Sequence, residues 1–537
     1  MNRCYNPLFL FFLSCSYTFD FSSGGVISSN QQSMDVTFYN IDLIVDPYKK
    51  NISGTVIISF NIFRNIENIE LDLINRYTVS GTSIDGMSLA FKHENNKILI
   101  SNPGIDLFKE HHLEVKYVGK PPISIKPPWD GGFIWDKNVD ENHWIGVSCQ
   151  SSGAHIWYPC KEHPSDKANG AEIKITVPKP LKVVSNGLLQ SIESKPGQWE
   201  TWHWKTDYPI SPYNINFTAG YFEVIEKTGY VLEKPLKMIY YVLPEKKEKA
   251  KELLNKAEEY LNFYARNFGQ YPWIKEKFGV VQAPYWGMEH QTVIAYGNNY
   301  KNTELGYDFL LFHELGHEWW GNFLSVADWS DFWIHEGFNT YAEALFVEEK
   351  FNLETAKMFI DKKYKKNIKN RRPVVPNRGA PMSFFEDNDV YYKGAHLLHT
   401  LRYLIGENIL KESLKEFLHM PKELSHNQTS TNEFISLIEE NTGKSLKWFF
   451  NQYLYSADLP ELNIKMKIIK KKKFIDIWWS NKGFIMPIMI VYDAIDGPRK
   501  KILDLNNSPK RIVIPISSKF IIDPEAWVLF KKNIIKE

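Results

Sequence analysis

The chain has 537 residues, which exceeds what one hydrophobic core can organise and predicts about two to four domains. Apolar residues make up 43% and aromatic residues 15% of the sequence, a composition typical of a well-packed globular protein. The formal net charge of +1 argues against a nucleic-acid-binding protein. Beyond the N-terminus, no apolar run reaches the about 18 residues that a membrane-spanning helix needs.

The first residues resemble an export signal. Arg3 precedes a short apolar run at 8–13, and Ser14 and Cys15 follow it. This order predicts a leader over residues 1–15, and its end resembles a loose bacterial lipobox with Cys15 as the lipidated residue. We therefore expect an exported protein, either periplasmic or held at the membrane as a lipoprotein through Cys15. An uncleaved, disordered tail is the alternative, because the apolar run is short.

Composition and periodicity divide the rest of the chain into four segments. Residues 16–34 are rich in Ser, Gly, Gln and Asn, which predicts a flexible tether. Residues 35–224 alternate apolar and polar side chains between turn clusters, which predicts an antiparallel β domain. Residues 225–458 follow a mainly helical period and hold the motifs that carry chemistry. Residues 459–537 return to alternation and predict a small β-sandwich; the lysine run at 470–473 is predicted as a solvated hairpin turn, with a membrane-surface role as the alternative.

The four cysteines leave the redox state open. Cys4 and Cys15 lie in the predicted leader. Cys149 and Cys160 either pair after export or remain as buried thiols, since two cysteines do not make a disulfide framework.

A buried helix pattern surrounds the segment HELGH at 313–317. Residues 305–323 contain no proline, and apolar side chains recur at helical spacing. Side chains four residues apart project from one helical face about one turn apart, so His313 and His317 can bind one metal ion. Imidazoles suit zinc, and Glu314 lies beside the open side of such an ion. A chance match is the alternative, because the chain has 15 histidines.

A third protein ligand is needed for a catalytic zinc, and Glu336 is the strongest candidate. It follows His317 after 18 intervening residues, in a segment that also has a helical pattern. That spacing lets one helix end and a second helix present its carboxylate to the same ion. His335 is the competing ligand, although on a helix it points in a different direction from Glu336.

Further motifs fall in an order that resembles one known family. GMEH at 287–290 is similar to G-x-M-E-N, YYKGA at 391–395 to Y-x-K-G, WWGN at 319–322 to W-x-G-N, and CQ at 149–150 to an N-terminal substrate loop. With HELGH and a glutamate 18 residues later in a W-x-x-E-G-F setting, the chain resembles the zinc aminopeptidases of peptidase family M1, the gluzincins. The resemblance extends from about residue 35 to the end.

The resemblance implies a multidomain α+β fold. It implies an N-terminal antiparallel β domain, a mainly helical thermolysin-like catalytic domain, and a small C-terminal β-sandwich. The chain is similar to the bacterial type that lacks a long helical C-terminal domain, because residues 459–537 leave no room for one. The resemblance also implies one zinc ion per chain, with His313, His317 and Glu336 as its ligands.

The family pattern implies hydrolysis of the first peptide bond of a peptide by a zinc-bound water. Glu314 would take a proton from that water as general base and pass it toward the leaving amine. Tyr391 would donate a hydrogen bond to the oxyanion, since a phenol stays protonated at neutral pH. Tyr392 is the alternative, and because neighbours on a regular element face different directions, we expect one of them to reach the site.

Exopeptidase action also needs a group that recognises the free amine. Glu289 matches the family residue for this role, and Gln150 matches a side chain from the β domain that completes the contact. Tyr285 matches an aromatic residue that lines the pocket for the first side chain. Gly287 and Met288 are expected to place backbone close to the substrate, because a glycine permits close approach. The implied partners are peptides with a free N-terminus.

Two positions depart from the family pattern. His290 stands where the family usually has asparagine, and Trp286 stands where it usually has the first glycine. Because Glu289 is present, amine recognition is expected to survive, while the shape of the pocket stays open. His290 is either a structural histidine or a group that titrates near the site.

Two other functions fit parts of the sequence. A thermolysin-type endopeptidase would use the same zinc chemistry, but Glu289 would then lie unpaired against an N-blocked substrate. A surface peptide-binding protein without turnover would be expected to have lost Glu314, a ligand or the tyrosine, and all are present. Epoxide hydrolysis as a side activity, the preferred N-terminal residue and the oligomeric state cannot be read from the sequence.

Overall fold

The computed structural model describes residues 21–494 and 497–535. The predicted leader at 1–15, with its lipidation site at Cys15, lies outside the described residues. Within the described ranges, no helix is both long and apolar enough to cross a membrane.

Residues 21–34 do not form the flexible tether that their composition predicts. Ser23 is fully buried, its hydroxyl donates to Glu162 at 2.8 Å, and it accepts from the indole of Trp329 at 3.0 Å. A short helix, α1 (Ser29–Gln32), follows this contact. The prediction was wrong for this segment because small polar residues also suit a buried strap when tertiary hydrogen bonds satisfy them.

The N-terminal part of the chain is rich in β-strands, as the sequence predicts. Its strands are β1 (Met34–Asp46), β2 (Asn51–Ile62), β3 (Asn68–Asp72), β4 (Tyr77–Ile84), β5 (Met87–Ser88), β6 (Phe91–Glu94), β7 (Lys97–Ser101), β8 (His111–Gly119), β9 (Gly132–Lys137), β10 (His143–Ser148), β11 (Ala171–Pro178), β12 (Lys182–Ser185), β13 (Leu188–Lys195), β14 (Trp199–Thr206) and β15 (Phe217–Gly220).

The largest sheet has eight strands in the order β13-β14-β11-β1-β2-β8-β4-β5. The inward face of β1 is fully buried at Tyr39, Ile41, Leu43 and Val45, which confirms the alternation seen in the sequence. β1 pairs antiparallel with β2 but parallel with β11, so the sheet is mixed rather than purely antiparallel. The parallel pair is feasible because a long connection separates the two strands in sequence and returns the chain to the same end of the sheet.

A second, four-stranded sheet has the order β12-β15-β10-β9 and packs its core against the first. Both cysteines of this region are buried free thiols, Cys149 and Cys160. The thiol of Cys149 donates to the carbonyl of Tyr213 at 3.2 Å, and burial raises its pKa. Of the two states that the sequence left open, the structure therefore contains the buried thiols.

The middle part of the chain combines a sheet with most of the helices. Its elements are β16 (Glu223–Val231), β17 (Lys234–Val242), α2 (Lys247–Phe268), β18 (Phe278–Gln282), β19 (Gly287–Met288), β20 (Val293–Tyr296), α3 (Phe309–Gly316), β21 (Ser325–Val326), α4 (Trp333–Lys350), α5 (Leu353–Phe359), α6 (Asp389–Ile405), α7 (Glu407–His419), β22 (Gln428–Thr429), α8 (Thr431–Thr442) and α9 (Lys447–Tyr453). The sheet has the strand order β16-β17-β18-β20-β19, which places β19 at an edge beside α3.

A close crossing of α4 and α6 sets the positions of two site residues. A Cβ atom on Gly337 would lie 2.9 Å from the carbonyl oxygen of Val390 and 3.1 Å from Cα of Gly394. Contacts this short leave no room for a side chain, so both glycines are needed for the backbones to approach. The crossing brings Glu336 on α4 to the same side as Tyr391 in the first turn of α6.

The C-terminal part returns to strands: β23 (Glu461–Ile469), β24 (Lys472–Trp479), β25 (Ile488–Ala494), β26 (Gly497–Leu503), β27 (Lys510–Pro515), β28 (Phe520–Ile522) and β29 (Lys531–Ile535). They form one sheet of order β27-β24-β23-β29 and another of order β26-β25-β28. Lys470 and Lys471, both with positive φ, form the turn between β23 and β24, whereas Lys472 and Lys473 of the predicted turn begin β24.

Candidate active site

Helices α3 and α4 bring His313, His317 and Glu336 together. One potential ligand atom from each lies within 4.8 Å of the others. The two Nε2 atoms are 3.2 Å apart, and Oε2 of Glu336 lies 3.5 Å from His313 Nε2 and 3.4 Å from His317 Nε2. Among the described residues, this is the group of three or more His, Cys, Asp and Glu side chains whose geometry suits a metal ion.

The chemistry of these donors fits zinc. Nδ1 of His317 lies 2.8 Å from the carbonyl oxygen of Trp320, so it donates there and leaves Nε2 free to bind a metal. Oε2 of Glu336 is buried and makes no hydrogen bond within the described residues. Burial disfavours its charge, but the adjacent histidines outweigh burial and lower the pKa of Glu336. Two imidazoles and an ionised carboxylate are a donor set that zinc prefers.

Hydrogen bonds of one buried amide hold α3 and α4 together beside the three potential metal ligands. Asn339 on α4 donates from Nδ2 to the carbonyl oxygen of His313 at 2.7 Å, and its Oδ1 accepts from the hydroxyl of Tyr264 at 2.7 Å. Gly316 lies against this amide, since a Cβ there would approach Asn339 Oδ1 to 2.0 Å. The glycine of the HELGH segment is therefore required by packing.

His335 does not point toward the three ligands. Its Nε2 accepts a hydrogen bond from the backbone N–H of Val326 at 3.0 Å. The ring is 1% exposed, and burial lowers the pKa of His335 to about 3, so it is neutral. The helical geometry expected from the sequence separates it from Glu336 as predicted.

Glu314 lies beside the cluster with its carboxylate against the edge strand β19. It is 6% exposed, and a Cβ on Gly287 would lie 2.8 Å from its Oε1. Burial, and then the nearby carboxylate of Glu289, raise the pKa of Glu314. A carboxylate with a raised pKa is suited to accept a proton and release it again within one cycle.

Glu289 and Gln150 meet across the boundary between the β-rich part and the helical part. Nε2 of Gln150 lies 2.5 Å from Oε1 of Glu289. Glu289 is 3% exposed, and its backbone carbonyl accepts from Nδ2 of Asn322 at 2.9 Å. Burial raises the pKa of the Glu289 carboxyl, so a cationic partner in the pocket would stabilise its ionised form.

Tyr391 and Tyr392 both line the pocket, whereas the sequence predicts that one of them reaches the site. The ring of Tyr391 lies 6.1 Å from that of His313, while the ring of Tyr392 lies 5.7 Å from that of Tyr364, on the far side. Burial, followed by the charge of Glu336, raises the pKa of Tyr391, so its hydroxyl stays protonated. Tyr391 is the tyrosine beside the proposed ligands.

The candidate site occupies a cavity of about 270 Å³. The predicted residues that line it are Gln150, Gly287, Met288, Glu289, His313, Glu314, His317, Glu336 and Tyr391. Two larger concavities, of about 740 and 1090 Å³, contain none of these residues and are open to solvent.

Tyr285 lies outside this cavity. Its hydroxyl donates to the carbonyl of Val147 at 3.2 Å, and the ring is 6% exposed on the other side of the wall. Its neighbour Trp286 lines the cavity instead. His290 also lies outside the cavity lining; it is 1% exposed, and burial lowers the pKa of His290 to about 3. The structure thus places His290 in the structural role.

The sequence alone did not predict that Trp129 and Trp286 line the cavity. Both line the cavity, their rings are 5.8 Å apart, and the angle between the ring planes is 23°. Trp129 belongs to the loop before β9, so only the folded arrangement brings it to Trp286. The departure of Trp286 from the family pattern was the available signal.

Family models match both the β-rich part and the helical part of the chain. The peptidase family M1 domain model matches residues 252–453, and the peptidase M1 N-terminal domain model matches residues 36–214. The chain is 26% identical over 410 residues to glutamyl aminopeptidase of Sus scrofa, covering 71% of this chain and 41% of that protein. It is 22% identical over 438 residues to probable aminopeptidase 2 of Sulfurisphaera tokodaii, covering 75% of this chain and 53% of that protein. The chain thus spans about half the length of the curated relatives it matches.

The fold is also similar to solved structures. An M1 zinc metallopeptidase from Deinococcus radiodurans superimposes with a TM-score of 0.68 at 22% identity, covering 81% of this chain and 96% of that one. The two domain models together extend over most of the described residues, and the match at 252–453 contains the three potential zinc ligands. The chain belongs to peptidase family M1.

Proposed function

We propose that the protein is a zinc-dependent aminopeptidase that removes N-terminal residues from peptides. The observation that carries the proposal is the placement of the Gln150–Glu289 pair in the same small cavity as the three zinc-ligand residues and Glu314. The relatives at 26% and 22% identity are named aminopeptidases. A variant of the Deinococcus radiodurans metallopeptidase was solved with a Tyr-Ser-Ala substrate bound.

The cofactor of this site is zinc, one ion per chain. His313, His317 and Glu336 would hold it, and the bound ion would supply a Lewis acid and lower the pKa of water. The remaining chemistry is assigned to side chains of the chain itself.

Glu314 moves the proton. Its carboxylate accepts a proton from the attacking water and then delivers that proton to the nitrogen of the leaving residue. The buried position beside β19 supports this role, because burial, and then the carboxylate of Glu289, raise the pKa of Glu314 and favour its taking up a proton. Gly287 keeps the backbone close enough that Glu314 and the peptide can share the space.

Tyr391 stabilises the negative charge that develops on the carbonyl oxygen. Its hydroxyl stays protonated because burial raises its pKa, so it donates a hydrogen bond rather than repelling the charge. A preorganised donor of this kind contributes about 3 kcal/mol to the transition state. The position of its ring, 6.1 Å from that of His313, supports this assignment.

Glu289 binds the free amine, and Gln150 holds the carboxylate in place. An ammonium group entering the cavity would meet an ionised carboxylate that already accepts one hydrogen bond from Gln150. An N-blocked peptide has no positive charge to offer and would leave Glu289 buried and unpaired. This difference supports exopeptidase rather than endopeptidase action.

Product analysis tests the proposal. The purified protein is incubated with a decapeptide, with and without a zinc chelator, and the products are followed by mass spectrometry. We expect a ladder of peptides shortened one residue at a time from the N-terminus, and no ladder after chelation. Internal fragments would indicate an endopeptidase, and an unchanged peptide that stays bound to the protein would indicate a binding function.

We also propose the domain limits 35–224, 225–458 and 459–537, with a thermolysin-like catalytic domain and a C-terminal β-sandwich. The two sheets of the C-terminal strands support the sandwich. Limited proteolysis with sequencing of the fragments tests these limits, since cleavage should fall between β15 and β16 and between α9 and β23 before it falls inside the segments.

Export and lipid attachment at Cys15 are proposed from the sequence. Mass spectrometry of the membrane fraction is expected to find a chain that begins at a lipid-modified Cys15. A soluble chain that retains Met1 would contradict both proposals.

A further inference from the structure

A series of nearly parallel rings extends from the mouth of the cavity to the zinc-ligand residues. Trp129 stacks on Trp286 with a centroid distance of 5.8 Å, and Trp286 on Phe309 with 6.1 Å. The ring centroids of Phe309 and His313 are 5.4 Å apart, and those of His313 and Tyr391 are 6.1 Å apart. Each pair is inclined by 23–30°, so the five rings form one continuous wall of the cavity.

The outer end of this aromatic wall is exposed. Trp129 is 67% and Trp286 41% exposed, and no other tryptophan among the described residues is exposed to this extent. A large apolar side chain at a cavity mouth gains little for folding, because it remains in contact with water. The wall therefore offers apolar area for a ligand.

The position of Glu314 indicates which part of a peptide meets the wall. In the proposed reaction Glu314 protonates the leaving nitrogen, so the residue after the scissile bond lies on the side of Glu314. That side is formed by Gly287, which packs against Glu314 and Leu310. The rings of Trp286 and Phe309 are 6.1 Å apart and line the same cavity as Gly287 and Glu314, so we assign both rings to the leaving residue rather than to the first one.

The wall contains no unpaired positive charge. The ammonium of Lys363 lies 4.0 Å from the ring centroid of Phe309, but it bonds both carboxylate oxygens of Glu343, at 2.8 and 2.9 Å. An acidic side chain would have to compete with Glu343 for this lysine. Aromatic rings, in contrast, gain free energy from stacking on the wall beyond what the buried area alone provides.

We propose that Trp129, Trp286 and Phe309 form a subsite that selects peptides whose second residue is aromatic or large and apolar. The inference rests on the proposed aminopeptidase function and names the substrate class of that site. Because Trp129 comes from the β-rich part and Trp286 from the helical part, the subsite is complete only when the two are packed together. Trp286 replaces a glycine of the family pattern, so the outer wall is a property of this chain.

Tripeptide hydrolysis tests the subsite. The substrates have leucine first and glycine last, with phenylalanine, leucine, serine, glycine or aspartate between them. For the wild-type protein we expect kcat/KM with phenylalanine to exceed that with glycine by about tenfold or more. In Trp286→Ala and in Trp129→Ala this ratio is expected to fall toward one, while Tyr230→Ala, which removes a 56% exposed ring of another hairpin, should keep it.

Each ratio is measured within one variant, so a partial loss of folded protein does not change it. A second series, with the first residue varied and glycine in second place, should show no change of preference in either tryptophan variant. A wild-type preference for aspartate, or a phenylalanine-to-glycine ratio that survives both substitutions, would overturn the subsite.

Failure of the proposed function is distinguishable from failure of the subsite. If the wild type hydrolyses no tripeptide of either series, including those in which the first residue is varied, the aminopeptidase assignment is wrong. Binding of the same tripeptides to Glu314→Gln protein, measured by calorimetry, then decides the subsite. If Glu314→Gln protein binds the phenylalanine tripeptide more tightly than the glycine tripeptide, and Glu314→Gln/Trp286→Ala protein does not, the subsite is supported. Equal binding of the two tripeptides by Glu314→Gln protein contradicts it.

Discussion

Nε2 of Gln150 lies 2.5 Å from Oε1 of Glu289, and this contact joins the β-rich part of the chain to the helical part inside the active-site cavity. Gln150 follows β10, whereas Glu289 follows the edge strand β19. The proposed amine subsite is therefore shared between two parts of the fold. In this proposal the β-rich part would contribute to substrate recognition as well as to the packing of the molecule.

This contact predicts how substrate preference changes. Glu289→Ala should lower kcat/KM for free-amine peptides by about a hundredfold, because a charge-assisted hydrogen bond contributes about 1.5–3 kcal/mol. Gln150→Ala should have a smaller effect, since the carboxylate remains. Kinetics with free and N-acetylated peptides check this, and equal losses on both would show that Glu289 does not bind the amine.

Glu314→Gln should retain zinc and lose turnover. The amide has nearly the same size but cannot accept the proton of water, so kcat should fall by about two to four orders of magnitude. Zinc content by elemental analysis and kcat on a tripeptide are the two readouts. A variant that holds zinc and keeps a rate near that of the wild type would remove Glu314 as the base.

Gly287→Ala tests the close approach of β19 to α3. The added Cβ would lie 2.8 Å from Oε1 of Glu314 and 2.7 Å from Leu310 Cδ1, so the base must shift. We expect kcat to fall at least tenfold while zinc is retained, because small displacements of a catalytic group are costly. Gly81→Ala is the matched control, since its Cβ would have no atom within 4 Å. Equal activity of the two variants would contradict the proposed crowding.

The free energy of unfolding should depend on pH in part through Lys167. Its ammonium is buried and donates to the carbonyl of Asn322 at 2.6 Å, and burial lowers the pKa of Lys167 to about 7. Below pH 7 both the folded and the unfolded states are charged, and the burial penalty is present in full. Between pH 7 and about 10 the unfolded state keeps the proton while the folded state releases it, so the free energy of unfolding rises with pH.

Thermal unfolding at about pH 6, 7.5 and 9 measures this contribution. Lys167→Met should remove it, so the difference in Tm between the variant and the wild type should shift in favour of the wild type as the pH rises. Lys444→Met, which replaces an exposed lysine, is the control and should follow the wild type. A constant difference between Lys167→Met and the wild type across this range would show that Lys167 stays charged in the folded protein.

The zinc-ligand residues and Glu314 could be predicted because helical geometry is local. His313 on α3 and His317, the residue that caps its C-terminal end, lie about one turn apart on the same side, and the spacing to Glu336 only requires a second helix nearby. The strand alternation of β1 was equally local. The structure places these residues where the sequence predicts.

Features that depend on distant segments could not be predicted in the same way. Trp129 meets Trp286 only after two parts of the fold have packed, so no local pattern indicates the aromatic wall. The family resemblance placed Tyr285 in the cavity, but its hydroxyl donates to the carbonyl of Val147, and its neighbour Trp286 lines the cavity instead. The sequence at 21–34 predicts flexibility because its polar residues have no partners nearby in the sequence. They find partners, such as Glu162 for Ser23, only in the tertiary structure.

The central claim is that the cavity recognises a free amine next to a zinc site. Its most direct test is the hydrolysis of one peptide in free and N-acetylated form by the purified protein, with and without a zinc chelator. The account predicts cleavage of the free peptide alone, and loss of that cleavage on chelation. Cleavage of both forms at similar rates would contradict it, because Glu289 would then have no part in choosing the substrate.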